Sequence, residues 1–218
     1  MAVHLYAICS DATELPGCTG VHQQPLRFVS AAGLSALVSD APAAPGEDAE
    51  RELWEHEYAV EGLMANGDVL PARFGTQLRS DAALREVLVR RRGEFSAVLR
   101  RVAGACELAV RAAWRDRVPD APAGGGAGYL AARAQAEHRA EALARQLDER
   151  LAPLSRERQL SVQGHPTMPV VGSYLVDREQ MSSFVATVDR LDEQTPGTSL
   201  VCTGPWPPYS FSQPEPAR

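Results

Sequence analysis

Lysine is missing altogether: the 22 positively charged side chains of this 218-residue chain are all arginine. A phosphate-cradling P-loop, a protein-kinase nucleotide site and Schiff-base catalysis each need an amine, so all three are excluded. No apolar run approaches the roughly 20 residues that span a bilayer, and no membrane role is expected. Cys9, Cys18, Cys106 and Cys202 form no CxxC pair, which leaves neither a zinc motif nor a redox motif and suggests buried thiols in a reducing compartment. The opening residues MAVHLYAIC carry no basic residue ahead of their apolar stretch. They read as a first strand rather than a secretory signal, and the expected location is cytoplasmic.

Positive charge is scarce relative to negative. The net charge is −6, and residues 47–61 account for it alone, with Glu47, Asp48, Glu50, Glu52, Glu55, Glu57 and Glu61 set against Arg51. A nucleic-acid binder needs a basic stripe to release counterions from phosphates. Here the densest basic run is Arg90-Arg91-Arg92, which on a helix fans around most of a turn and reads as a solvated face. No nucleic-acid partner is expected.

The catalytic patterns fail one residue at a time. His56-Glu57-Tyr58-Ala59-Val60 begins like a zinc-protease helix, but Val60 stands where the second histidine is required. His56 instead shares a helical face with Leu53, Val60 and Leu63 and reads as a core histidine. His4, His22, His138 and His165 have no ligand spacing, so no metal is expected. Gly33-Leu34-Ser35-Ala36-Leu37 lacks the second glycine of a serine elbow. A dinucleotide fingerprint anchored at Gly124 and Gly126 would need glycine at Tyr129. The sequence therefore supplies no catalytic residue and no cofactor site.

Hydrophobic patterning gives an α+β chain. Residues 3–9, 26–30 and 34–39 are β-rich, and the Ala31-Ala32-Gly33 link suits a hairpin. After the Pro/Ala/Gly stretch 41–46, Ala49, Leu53, His56, Val60 and Leu63 recur at helical spacing up to Asn66-Gly67. Segment 69–76 is extended, with Pro71 forcing it to an edge or a bend. Ser80 can cap one long helix carrying Leu84, Val87, Leu88, Phe95, Val98, Leu99 and Val102, which ends at Gly104. Residues 106–114 alternate as a strand, 119–128 form a flexible glycine-rich loop, and 129–152 a helix with Leu130, Ala134, Ala140, Leu143, Leu147 and Leu151 on its apolar side. Strands at 159–163 and 170–176, a helix opened by Asp177 with Gln180 as a variant capping box, and a strand at 199–203 complete the chain. From Cys106 onward the order is strand, helix, strand, strand, helix, strand, the ferredoxin-like pattern. Two domains are expected, an N-terminal α+β domain over 1–104 and a ferredoxin-like domain over 105–204, followed by a tail over 205–218.

That tail begins within the string TGPWPPYSF at 203–211. Its prolines hold the backbone near polyproline II, and Trp206, Tyr209 and Phe211 project from it. They either fold back to seal a sheet or stand out as an aromatic docking strip.

This string, together with VLPARFGT at 69–76 and GSYLVD at 172–177, resembles the gas vesicle protein F/L family, whose members carry a VLPxRFGT segment, a YLV strand and a closing TGPWPPYSF. HLYAI at 4–8 is similar to that family's YLYGI-like first strand. The resemblance covers nearly the whole chain. It implies a two-domain α+β protein with a ferredoxin-like second domain and a non-enzymatic role as a minor component or assembly factor of the gas vesicle. It also implies association with the hydrophobic major shell protein and with other accessory proteins, located in the cytoplasm and at the gas vesicle. Candidate partner contacts are Arg73, Phe74, Trp206, Tyr209 and Phe211. Arg73 could bind a partner carboxylate or an internal one. A small-ligand sensor of ferredoxin-like fold, or an unassigned interaction protein, is the alternative.

Overall fold

The computed structural model describes residues 1–10, 14–41, 48–115, 125–163 and 167–213. These residues form an α+β protein with two sheets and five helices among them. Two compact units are formed, one from Met1–Ala105 with Trp206–Arg218 and one from Cys106–Pro205.

The first unit is organised around β1 (Val3–Cys9), whose seven residues are all buried. A strand buried on both faces cannot alternate apolar with polar, which accounts for its nearly continuous apolar sequence. β1 pairs antiparallel with β3 (Leu34–Asp40), and the register shifts between Leu5 and Ala7. β3 forms a hairpin with β2 (Arg27–Ala31), closed by Ala32 and Gly33 at φ 55° and 75°. Two successive left-handed residues match the twist of the strands they join. α1 (Ala49–Asn66) starts at Asp48, whose carboxylate accepts from the Arg51 N–H. It packs Ala59, Val60, Leu63 and Met64 against Tyr6, Ala7, Cys9 and Leu37. The helix is rotated relative to the expected stripe: Glu52 is buried and Leu53 is 40% exposed.

On the other side of β1, β4 (Leu70–Pro71) and β5 (Gln77–Leu78) pair with its two halves. Pro71, unable to donate, lies at this edge as its chemistry demands. α2 (Asp81–Arg90) is capped by Ser80 and lies against β2 and β5, while α3 (Arg92–Val102) lies against β4. One helix was expected here. It divides at Arg91 beside Gly93, the residue type least costly to bend in a helix. Gly104 then turns the chain at φ 70°, and its N–H donates to Asp68 Oδ1 at 2.8 Å.

In the second unit the sheet order is β7-β8-β6-β9, from β6 (Ala105–Trp114), β7 (Glu157–Val162), β8 (Val170–Asp177) and β9 (Thr198–Trp206). α4 (Gly125–Leu151) and α5 (Met181–Gln194) bring Leu143, Leu147, Leu151, Phe184 and Val188 onto Leu108, Val110, Tyr174 and Val176. α4 begins earlier than expected and absorbs Gly125–Gly128, while 119–124 lie outside the described residues, as do 42–46 of the Pro/Ala/Gly stretch. Its apolar side engages only from Ala140 onward; Leu130 and Ala134 are exposed. The expected capping box is not formed either. Asp177 pairs with Arg156, a stronger partner than a backbone N–H, and a short 3-10 turn, Arg178–Gln180, precedes α5.

Two glycines give opposite expectations. A Cβ at Gly20 would lie 2.2 Å from the Tyr6 hydroxyl, which is held by Ser39 Oγ at 2.8 Å and the Val21 N–H at 2.7 Å. Gly20→Ala should cost about 1–3 kcal/mol in urea unfolding. Gly93→Ala meets nothing within 4 Å and should gain about 0.5–1 kcal/mol from helix propensity.

Candidate functional site

The segment VLPARFGT forms a surface loop fastened from beneath. Its ends are tied to β1, with the Ala72 N–H donating to Tyr6 O at 2.8 Å and the Leu5 N–H to Thr76 O at 2.9 Å. Its turn is closed by the Thr76 N–H and hydroxyl, both donating to Arg73 O, at 3.1 and 2.6 Å. Gly75 takes φ 82°, a left-handed conformation that a side chain would strain.

Under the loop, His4 of β1 and His56 of α1 meet ring to ring. His4 Nε2 lies 2.9 Å from His56 Nδ1, and His56 Nε2 lies 3.0 Å from Ala72 O. A carbonyl oxygen only accepts, so Nε2 of His56 carries the proton. Neutral His56 therefore has a bare Nδ1, and Nε2–H of His4 donates to it. Both rings are buried, and each pKa is lowered to about 4, by burial and, for His56, also by the neighbouring His4. A second proton on the His56 ring would sit on Nδ1, opposite the N–H that His4 donates. Tyr6 stacks on His56 with centroids 5.1 Å apart, and Phe74 closes the cluster at 5.7 Å from His56 and 5.9 Å from His4. Phe74 remains 36% exposed and Arg73 is exposed, with no ion pair for Arg73 among the described residues. The internal carboxylate considered for Arg73 is thus not found, and the loop displays one guanidinium and one aromatic edge. With both His56 nitrogens engaged and its pKa low, the pair is suited to holding the loop rather than to relaying protons.

The C-terminal string has a mixed fate. β9 carries it as strand to Trp206, and a 3-10 turn follows at Tyr209–Phe211, so polyproline II does not run through it. Pro207 and Pro208 are buried and Phe211 is 2% exposed. The Tyr209 hydroxyl donates to Glu57 Oε1 of α1 at 3.0 Å. Burial raises the pKa of Tyr209, and the Glu57 charge adds to it. Arg101 of α3 donates from Nη2 to Phe211 O and to Gln213 O. Phe211 is therefore an anchor and not a free contact, and the fold-back alternative describes it. Trp206 stays 36% exposed.

Two exposed aromatics escaped the sequence pattern, Trp54 and Tyr58 on the outer side of α1. Their spacing of four residues was the available signal, obscured because Leu53 was assigned to the core. Among the described residues no group of histidine, cysteine and carboxylate side chains could hold a metal, and no helix is long and apolar enough to cross a membrane. Cys9 and Cys106 are buried, but Cys18 is exposed and Cys202 half-buried, so burial of all four thiols does not hold.

Two α+β units, one of them bearing a clamped surface loop, define a two-unit α+β protein. The family model for gas vesicle synthesis protein GvpL/GvpF matches residues 2–213, and the chain belongs to that family, which takes part in gas vesicle formation. Gas vesicle protein F of a Streptomyces species is 30% identical, with 97% of this chain and 99% of that protein covered. Gas vesicle protein F1 of Halobacterium salinarum is 25% identical, with 91% of this chain and 85% of that protein covered. Among solved structures, GvpF from Anabaena sp. has TM-score 0.84 at 21% identity, covering 100% of this chain and 98% of that one. GvpF from Microcystis aeruginosa has TM-score 0.82 at 20% identity, covering 97% and 99%. These likenesses establish the α+β fold.

The histidine pair predicts a pH dependence of stability. Both pKa values fall from 6.5 to about 4 on folding, so the unfolded chain binds more protons between those limits. Stability is full above pH 6.5 and declines as pH falls toward 4, by up to about 1.4 kcal/mol per pH unit for each histidine. Urea midpoints measured from pH 7 to 5 should decline for the native protein, and the decline should be shallower for His56→Gln. In the tail, Phe211→Ala should cost about 3–5 kcal/mol in the same assay, and Trp206→Ala much less.

Proposed function

We propose that this chain acts without catalysis, by binding the hydrophobic major shell protein and other accessory proteins of the gas vesicle in the cytoplasm while the vesicle forms. The observation that carries this reading is the Arg73–Phe74 loop. A charged and an aromatic side chain are held in water by a buried ring cluster that has no evident chemistry of its own. A shell subunit with a strongly apolar face would aggregate if left free in water, and a partner offering rigid aromatics and a guanidinium can cover it reversibly. Phe74, Arg73, Trp206 and Tyr209 are the proposed contacts, with Phe211 anchoring the segment that presents two of them.

The second unit fits this reading as a ferredoxin-like domain. Its strand, helix, strand, strand, helix, strand order and its sheet order β7-β8-β6-β9 are what that fold requires, with both helices contributing to one core. The first unit, with the returning tail, is then the domain that bears the loop.

Capture of purified major shell protein tests the function. Arg73→Ala, exposed and unpaired among the described residues, should leave unfolding free energy within about 0.5 kcal/mol while lowering capture. Phe74→Ala and Trp206→Ala should also lower it. Undiminished capture by all three folded variants, or no capture by the native protein, refutes the reading.

A further inference from the structure

The inner side of α1 is committed to the core through His56, Ala59, Val60, Leu63 and Met64. Its outer side is unusual for a water-facing helix. Trp54 is 51% exposed and Tyr58, one turn on, is 62% exposed, with ring centroids 6.4 Å apart. A single surface aromatic needs no explanation, but two in contact form a continuous apolar strip.

The strip is bordered by one sign of charge. Glu50 lies four residues before Trp54, Glu57 three after it, and Glu61 three after Tyr58, so all three acids share the helix side that carries the rings. The other acids of α1 are engaged elsewhere, Glu55 in an ion pair with Arg51 and Glu52 with the His22 ring. Among the described residues Glu50, Glu57 and Glu61 meet no cation. Glu57 accepts from Tyr209, and burial, partly offset by that bond, raises its pKa, with the Glu61 charge acting in the same direction. A cation placed between these acids would relieve their repulsion. The whole net charge of the chain is concentrated in this segment, so the complementarity sought is positive.

We propose that the Trp54–Tyr58 face of α1 is a docking surface for a basic amphipathic helix of another protein. Arginine or lysine side chains of that helix lie over the two rings and reach Glu50, Glu57 and Glu61, and its apolar side chains cover the ring edges and Leu53. Cations favour the faces of tryptophan and tyrosine, and a helix repeats its side chains at the three- and four-residue spacing that the acids and rings present. This rests on the reading that the chain works by binding proteins, and adds the chemistry of one partner surface, distinct from the Arg73 loop.

The probe is a fluorescein-labelled synthetic amphipathic helix with arginines on one side and leucines beside them, with a control in which glutamate replaces each arginine. Anisotropy titration with the full chain should show binding of the arginine peptide, weakened at least about tenfold in roughly 0.5 M salt by screening. Trp54→Ala with Tyr58→Ala should weaken it about tenfold or more, as should Glu50→Gln with Glu61→Gln. All four positions lie on the outer side of the helix, and circular dichroism verifies that each variant is folded. Equal binding by the folded variants overturns the proposal, as does equal binding of the glutamate peptide. Sedimentation of the native protein as a dimer that Trp54→Ala dissociates also overturns it, by assigning the face to a second copy. Shell-protein capture is scored in parallel. Capture without binding of the arginine peptide removes only this surface, whereas failure of both removes the protein-binding reading as well.

Discussion

The contact between His4 and His56 joins the three parts of the first unit that matter most. One ring comes from the central strand and the other from α1, and the far nitrogen of His56 holds the carbonyl of Ala72 at the start of the exposed loop. Because that carbonyl can only accept, Nε2 of His56 carries its proton and Nδ1 accepts from His4, an arrangement that requires His56 to be neutral. Tyr6 and Phe74 complete the packing around it. A loop of this kind, with a left-handed glycine and an exposed guanidinium, would sample many conformations without such support. The buried rings restrict it, and restriction before contact lowers the entropy lost on binding.

The C-terminal segment extends the same logic. Two side chains of the first unit, Glu57 from α1 and Arg101 from α3, receive it through a phenol and two backbone carbonyls, and Phe211 fills a buried position. Sequence distance gives no hint of this: Arg101 and Phe211 are separated by 110 residues. The segment is thus a strap over the N-terminal unit with one partly exposed tryptophan. The docking-strip image suits Trp206, while Phe211 belongs to the interior.

Charge is distributed with comparable economy. Acids that face inward or sideways on α1 have partners, as Glu52 and Glu55 do, whereas among the described residues those beside Trp54 and Tyr58 meet no cation. Membership in the gas vesicle GvpL/GvpF family sets the biological frame, and two GvpF structures share the fold at about one-fifth identity.

Local rules were enough for much of the architecture. Strand and helix order follows from period-two and helical spacing, the β2–β3 hairpin from Ala32-Gly33, the start of α2 from Ser80, and the edge position of β4 from Pro71, because each depends on the conformational freedom of a residue and its neighbours. The absence of catalytic motifs was legible for the same reason, since those motifs are short and contiguous. Other features required the assembled fold. The rotation of α1 leaves Leu53 exposed and buries Glu52 with His22 as its partner, and Asp177 pairs with Arg156 instead of capping. The union of His4 with His56 and the anchoring of Phe211 by Arg101 also appear only there. Each of these is a choice between partners that are distant along the chain and close in space, and burial makes that choice decisive because an unpaired polar group costs more inside than out.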